Sequence, residues 1–187
     1  MIEFGLFGII VLCVLVFLQV LLVKKKMIQK IDAIAGMVFT VYCLILIKIV
    51  FFPIPFQEKT LALIREINGS FSLNIIPLKS IVQIINENDI ANIFYQLGGN
   101  FLLLLPLGLY IALMFRNISV KWLALTLTLT SVFIEMTQLL IGVAIDCQYR
   151  VVDIDDIILN ILGGLVGVVI GRLVYPLYKK ICEIIVS

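Results

Sequence analysis

The sequence predicts an all-α integral membrane protein with five transmembrane helices and short interfacial helices in the loop between the second and third. Three observations predict it. Of 187 residues, 63% are hydrophobic and only 14% are charged, whereas soluble domains are roughly half apolar and a quarter charged. Apolar runs recur at about twenty residues, the length that crosses roughly 30 Å of hydrocarbon at about 1.5 Å per residue. Lysines and arginines gather at alternate ends of those runs. One membrane domain over 1–187 accommodates the whole pattern.

The first span, 4–23, follows Glu3 rather than a basic region and is longer than the core of a typical signal peptide, so it reads as part of the mature chain. It ends in "KKKMIQK", and Lys24, Lys25, Lys26 and Lys30 hold that end in the cytoplasm, leaving the N-terminus outside. The second span, 33–52, returns outward and stops at "FFPIPF", where Pro53 and Pro55 cannot continue a regular helix. An extracellular loop, 54–96, follows. Within it, 58–67 and 78–88 carry apolar residues at helical spacing on either side of the turn signal in "NGSFSLNIIPL". The third span, 97–115, leads to a basic inner turn at Arg116 and Lys121, and the fourth, 121–141, runs outward again. The fifth, 156–176, ends at Lys179 and Lys180, which places the C-terminus in the cytoplasm.

Several function classes fall away. The chain has no histidine, and Cys13, Cys43, Cys147 and Cys182 lack any CxxC spacing, so neither a His-based triad nor a Cys/His metal site is available. A net charge of +2 implies no nucleic acid partner. The lysine run after the first span is a topology signal that also suits anionic membrane lipid.

Polar residues inside the spans concentrate at one depth. Glu135 and Gln138 share a face of the fourth span, with Glu135 roughly 9 Å below its outer end. Asn100 stands one turn into the third span. On the fifth, Asp156, Asn160, Gly163 or Gly164, Gly167 and Gly171 draw a single stripe. An ionised group in hydrocarbon costs about 2.5 to 3.5 kcal/mol even on lenient scales, so Glu135 is expected to face the bundle or a wet cavity, with Lys48 and Arg150 as its available cations. Interhelical hydrogen bonding is the plainer role for such groups. So much charge at one depth, next to "CQYRVVDIDD" at 147–156, points instead to a functional cavity. Gly163, Gly167 and Gly171 form successive GxxxG steps that predict close helix contact, and Pro106 with Gly108 predicts a bend in the third span.

These residues also carry a resemblance. "GNFLLLLPLG", "IEMTQLL", "YRVVDIDDIILNILGGLVG" and the earlier "LNIIPL" resemble, in order and spacing, the motif elements of the VanZ-like family of bacterial membrane proteins. The resemblance implies a multi-pass protein of the bacterial cell membrane, in a family named for an association with resistance to the glycopeptide antibiotic teicoplanin. Its motif positions fall on Asn74, Pro77, Asn100, Pro106, Gly108, Glu135, Gln138, Arg150, Asp153, Asp156, Asn160 and Gly164, while Asp155 matches no motif position.

Two mechanisms follow, from different classes. In the preferred one, a non-enzymatic envelope factor binds a lipid-linked cell-wall precursor or a glycopeptide antibiotic in an outer pocket. Arg150 grips phosphate or carboxylate, Asp153 and Asp156 hold Arg150 in place, Asn100 and Asn160 hydrogen-bond amides or sugar hydroxyls, and Asn74, Glu135 and Gln138 are further ligand-binding candidates. In the alternative, an embedded enzyme uses Glu135 as general acid or base, with Asp153 and Asp156 as ligands for a divalent cation. The first is preferred because no nucleophile stands beside a recognisable base and no metal signature is closed. A small transporter is a third reading, disfavoured by the lack of an internal repeat, although a homo-oligomer would supply ten spans. Cys147 is the expected reporter of an external fourth-to-fifth connection, reactive towards an impermeant thiol reagent.

Overall fold

The computed structural model describes residues 3–25, 30–68, 71–115 and 117–186. Lys26 and Arg116, both used above to orient the chain, lie outside them. The described residues are mostly helical, with one two-residue parallel pairing among them. Among the described residues four helices are long and apolar enough to cross a membrane, at Ile31–Phe51, Ile90–Met114, Val120–Ala144 and Ile154–Ile184, and Gly8–Lys24 is a shorter apolar helix. This is an all-α, multi-pass membrane protein.

The chain divides into two compact units, Met1–Ile54 with Tyr175–Ser187, and Pro55–Val174. In the first, α1 (Gly5–Lys24) packs on α2 (Lys30–Phe51). Neither helix has a polar face. The contact uses small and aromatic residues with one polar cross-link: the Phe4 and Phe52 rings lie 5.2 Å apart, and the Gln19 amide donates to the Thr40 hydroxyl at 3.3 Å beside Gly36. Lacking water, a buried amide needs such a partner.

The second unit begins with amphipathic α3 (Glu58–Asn68), whose Leu61 is buried. Next come a strand, β1 (Leu73–Asn74), and the short helix α4 (Lys79–Asn86). The third span starts earlier than its hydropathy suggests, at α5 (Ile90–Ile93). The Asp89 carboxylate caps this helix by accepting from the Ala91 and Asn92 amides at 3.0 and 3.3 Å. Asn92 and Gln96, which look like loop residues in sequence, are bonded to Glu87 and to each other along the helix edge. The span continues through a π-turn (Phe94–Gly98) and α6 (Gly99–Leu103), breaks at Leu104 and resumes as α7 (Leu105–Met114). Pro106 accounts for the break, because proline supplies no N–H and its ring crowds the carbonyl four residues earlier.

The hairpin partner of that span is α8 (Val120–Ala144), and the last helix is α9 (Ile154–Val186), which extends well past the predicted end at 176 and contains Pro176. The core of this unit lies between α7, α8 and α9, where Leu104, Leu123 and Leu127 are essentially inaccessible. Glycine sets the spacing. A Cβ built on Gly163 would stand 1.6 Å from the Phe101 carbonyl oxygen, one on Gly167 would stand 2.0 Å from that of Leu105, and one on Gly108 would stand 1.9 Å from that of Gly164. Gly164 receives the Leu127 side chain and Gly171 the Ala112 methyl. The obstructing groups at Gly163, Gly167 and Gly108 are backbone carbonyls, which cannot swing aside. Replacing Gly163 or Gly167 with valine should therefore cost at least the upper end of the usual overpacking range of about 1–3 kcal/mol. Thermal unfolding in detergent checks this: both variants should melt well below the parent, whereas Leu173→Ala, on a face 74% exposed, should melt with it.

Candidate functional site

The connection from α8 to α9 is a short, pinned segment. Cys147 is 1% exposed, with its Sγ 4.0 Å from the Leu61 carbonyl, so it is a packed thiol rather than the reactive surface reporter expected from sequence. Gln148, also buried, imitates a strand partner for Ser72: its Oε1 accepts from the Ser72 amide at 2.8 Å and its Nε2 donates to the Ser72 carbonyl at 2.5 Å. The Gln148 carbonyl accepts from Asn68 at 2.7 Å. Beyond it, β2 (Val152–Asp153) pairs in parallel with β1, in the register Leu73 to Val152 and Asn74 to Asp153.

Three carboxylates follow from this register. Asp153 is buried and accepts from the Asn74 amide at 2.7 Å, from the Ser80 hydroxyl, and from the Asp155 N–H at 2.8 Å. Asp155 is 1% exposed, and its two oxygens accept backbone N–H groups of Leu78 at 2.5 Å, Ser80 at 2.9 Å and Ile81 at 3.2 Å. Those amides are the open donors at the start of α4, which has no side-chain cap of its own. Asp156 faces the third span instead and accepts from the Asn100 amide.

On α8, Glu135 is 3% exposed and accepts from the Asp153 backbone N–H at 3.2 Å. One turn earlier Ser131 accepts from the Asn160 amide at 3.1 Å, leaving the buried Asn160 Oδ1 without a protein partner. Gln138 is buried on the same helix. Arg150 is exposed, between the pinned Gln148 and the β2 pairing. Burial pushes the neighbouring Tyr149 phenol above its ordinary pKa, and the Arg150 cation pulls against that rise.

The structure thus brings Asn74, Glu135 and Asp153 into one hydrogen-bonded chain, pairs Asn100 with Asp156, and sets Asn160 against Ser131. Pro77 sits in the turn before α4, next to Leu78 in left-handed conformation at φ 66°. Lys48 belongs to the other compact unit. Among the described residues no three His, Cys, Asp or Glu side chains converge as a metal-ligand set. Asp155, Ser80, Ser131 and Gln148 are not among the site residues expected from sequence. Of these, Ser131 has a local signal, since it precedes Glu135 by one helical turn and shares its face. The other three find their partners in segments remote in sequence, where no local pattern marks them.

The model of the VanZ/LLP1 family matches residues 39–175. The chain belongs to the VanZ family. The match takes in every residue of the polar cluster, from Asn74 to Asn160. Searches of the curated proteins and of the solved structures find no match to this VanZ protein.

Asp155 now has a defined duty in the VanZ fold. Asp155→Ala strands three backbone donors, each costing about 1–3 kcal/mol if left buried and unmade. Hydrogen–deuterium exchange should then accelerate sharply across 78–86. Asp155→Asn keeps one acceptor and should show an intermediate effect; exchange unchanged in both variants would contradict the capping role.

Proposed function

We propose that this VanZ protein is a non-enzymatic cell-envelope factor that binds the head group of a lipid-linked cell-wall precursor, or a glycopeptide antibiotic, at the head of α9. On this reading the chain crosses the membrane five times, with the N-terminus outside, the C-terminus in the cytoplasm and the α8–α9 connection at the outer face. The single observation that carries it is the contrast around Arg150. An exposed arginine stands on a segment anchored on both sides, next to buried carboxylates and amides from α8, β2 and α9. A guanidinium fork accepts a phosphate or carboxylate bidentately, and the half-buried Tyr149 supplies a phenol beside it. The Asn100, Glu135, Asp156 and Asn160 layer forms the floor under that rim. A contribution to teicoplanin resistance would follow from sequestering either the precursor or the drug.

Binding of a pyrophosphate-linked cell-wall precursor to the purified protein tests the proposal directly. Losing charge-assisted hydrogen bonds of about 1.5–3 kcal/mol should weaken binding by about 10- to 150-fold in the folded fraction of Arg150→Ala. Equal affinity in wild type and variant, or a new lipid-linked product that vanishes in Glu135→Gln, would overturn it. Orientation has a separate test. Glu66 is exposed on α3, so a Glu66→Cys chain should react with a membrane-impermeant maleimide on intact cells; labelling only after lysis would reverse the topology.

A further inference from the structure

The first compact unit contains a groove that the polar cluster does not use. It has a volume of about 330 Å³ and runs between α1 and α2. Its walls include Gly5, Gly8 and Leu12 from α1 and Leu44 and Ile45 from α2, with Lys48 at the end where α1 begins. Glycine opens the groove at that end: a Cβ on Gly5 would meet nothing within 4 Å. From Phe4 to Leu12 the groove extends roughly 12 Å, close to the roughly 15 Å depth of one leaflet's hydrocarbon.

Lys48 gives this groove a polarity. It is the one charged group among the lining residues, and among the described residues no carboxylate lies within salt-bridge distance of it. A cation near the end of a spanning helix snorkels towards the head-group layer and prefers an anion there. Hydrocarbon walls with a lone ammonium at one end are complementary to an acyl chain ending in a phosphate. A second helix would leave Lys48 unmatched, and a zwitterionic lipid would match it less well because its own amine competes.

We propose that the α1–α2 groove is a binding site for one anionic phospholipid, with an acyl chain between the helices and the phosphate on the Lys48 ammonium. The site is independent of the ligand proposed for the α9 cluster, so either can fail alone. Native mass spectrometry of the full chain, titrated with phosphatidylglycerol or phosphatidylethanolamine, tests it. One phosphatidylglycerol should be retained per chain. Lys48→Gln should weaken that retention roughly tenfold or more, and Gly5→Leu, which fills the groove while leaving the charge, should weaken it comparably. Both variants should melt with the parent, because neither residue is packed against a partner. Equal retention of the two lipids, retention unaffected by Lys48→Gln and Gly5→Leu, or loss instead in a Lys24→Gln, Lys25→Gln chain would overturn the proposal.

Discussion

Two carboxylates, Asp153 at the end of β2 and Asp155 in the first turn of α9, organise the polar end of the larger unit. Asp155 caps the start of α4 by accepting three of its backbone amides, while Asp153 holds Asn74 and Ser80. Neither bond set is local: each joins residues more than seventy positions apart, as the separations of 79 for Asn74 and 77 for Leu78 show. An anion at a helix N-terminus gains from the partial positive charge there by up to about 2 kcal/mol when partly buried. Here one acidic cluster does this at a distance, and two segments that could not stay folded alone are fixed to a spanning helix.

That arrangement accounts for why α9 divides into a polar head and a glycine-lined shaft. The shaft lets the backbone of α9 touch those of α6 and α7, with Phe101 and Leu105 carbonyls where side chains would otherwise stand. Close approach in turn sets the depth at which Asn100 meets Asp156 and Asn160 meets Ser131. Side-chain reach is only a few ångströms, so a helix held away by a methyl group at Gly163 would break both pairings. The polar contacts are therefore consequences of the glycine contact as much as causes of the fold.

The extent to which this was legible in sequence follows from the range of each signal. Hydropathy marks the apolar helices because every residue in a run contributes to it. The break at Leu104 was foreshadowed by Pro106, a local cause. The start of the third span was not, since Asp89, Asn92 and Gln96 resemble loop residues until their mutual hydrogen bonds are seen. Asp155 looked redundant beside Asp156 because its partners are backbone amides, which leave no mark on the sequence. Cys147 looked like a surface thiol because it stands in a polar segment, yet the turn of that segment buries it against Leu61.

The distribution of charge also constrains what ligand the proposed site can accept. Asp153 and Asp155 are committed to holding the loop, and Glu135 and Asp156 add acidic groups behind Arg150. A bare phosphate at Arg150 would leave the carboxyl and amide groups behind it without a ligand partner. A ligand carrying hydroxyl, amide or amine donors together with its anion supplies both partners: the anion engages Arg150 at the rim while the donors meet carboxylate and amide oxygens behind it. Because the segment is already fixed at Gln148 and Val152, ordering Arg150 costs less on binding than it would on a free loop. The proposed site is therefore better matched by a mixed head group, such as a glycan or peptide joined to phosphate, than by a simple anion.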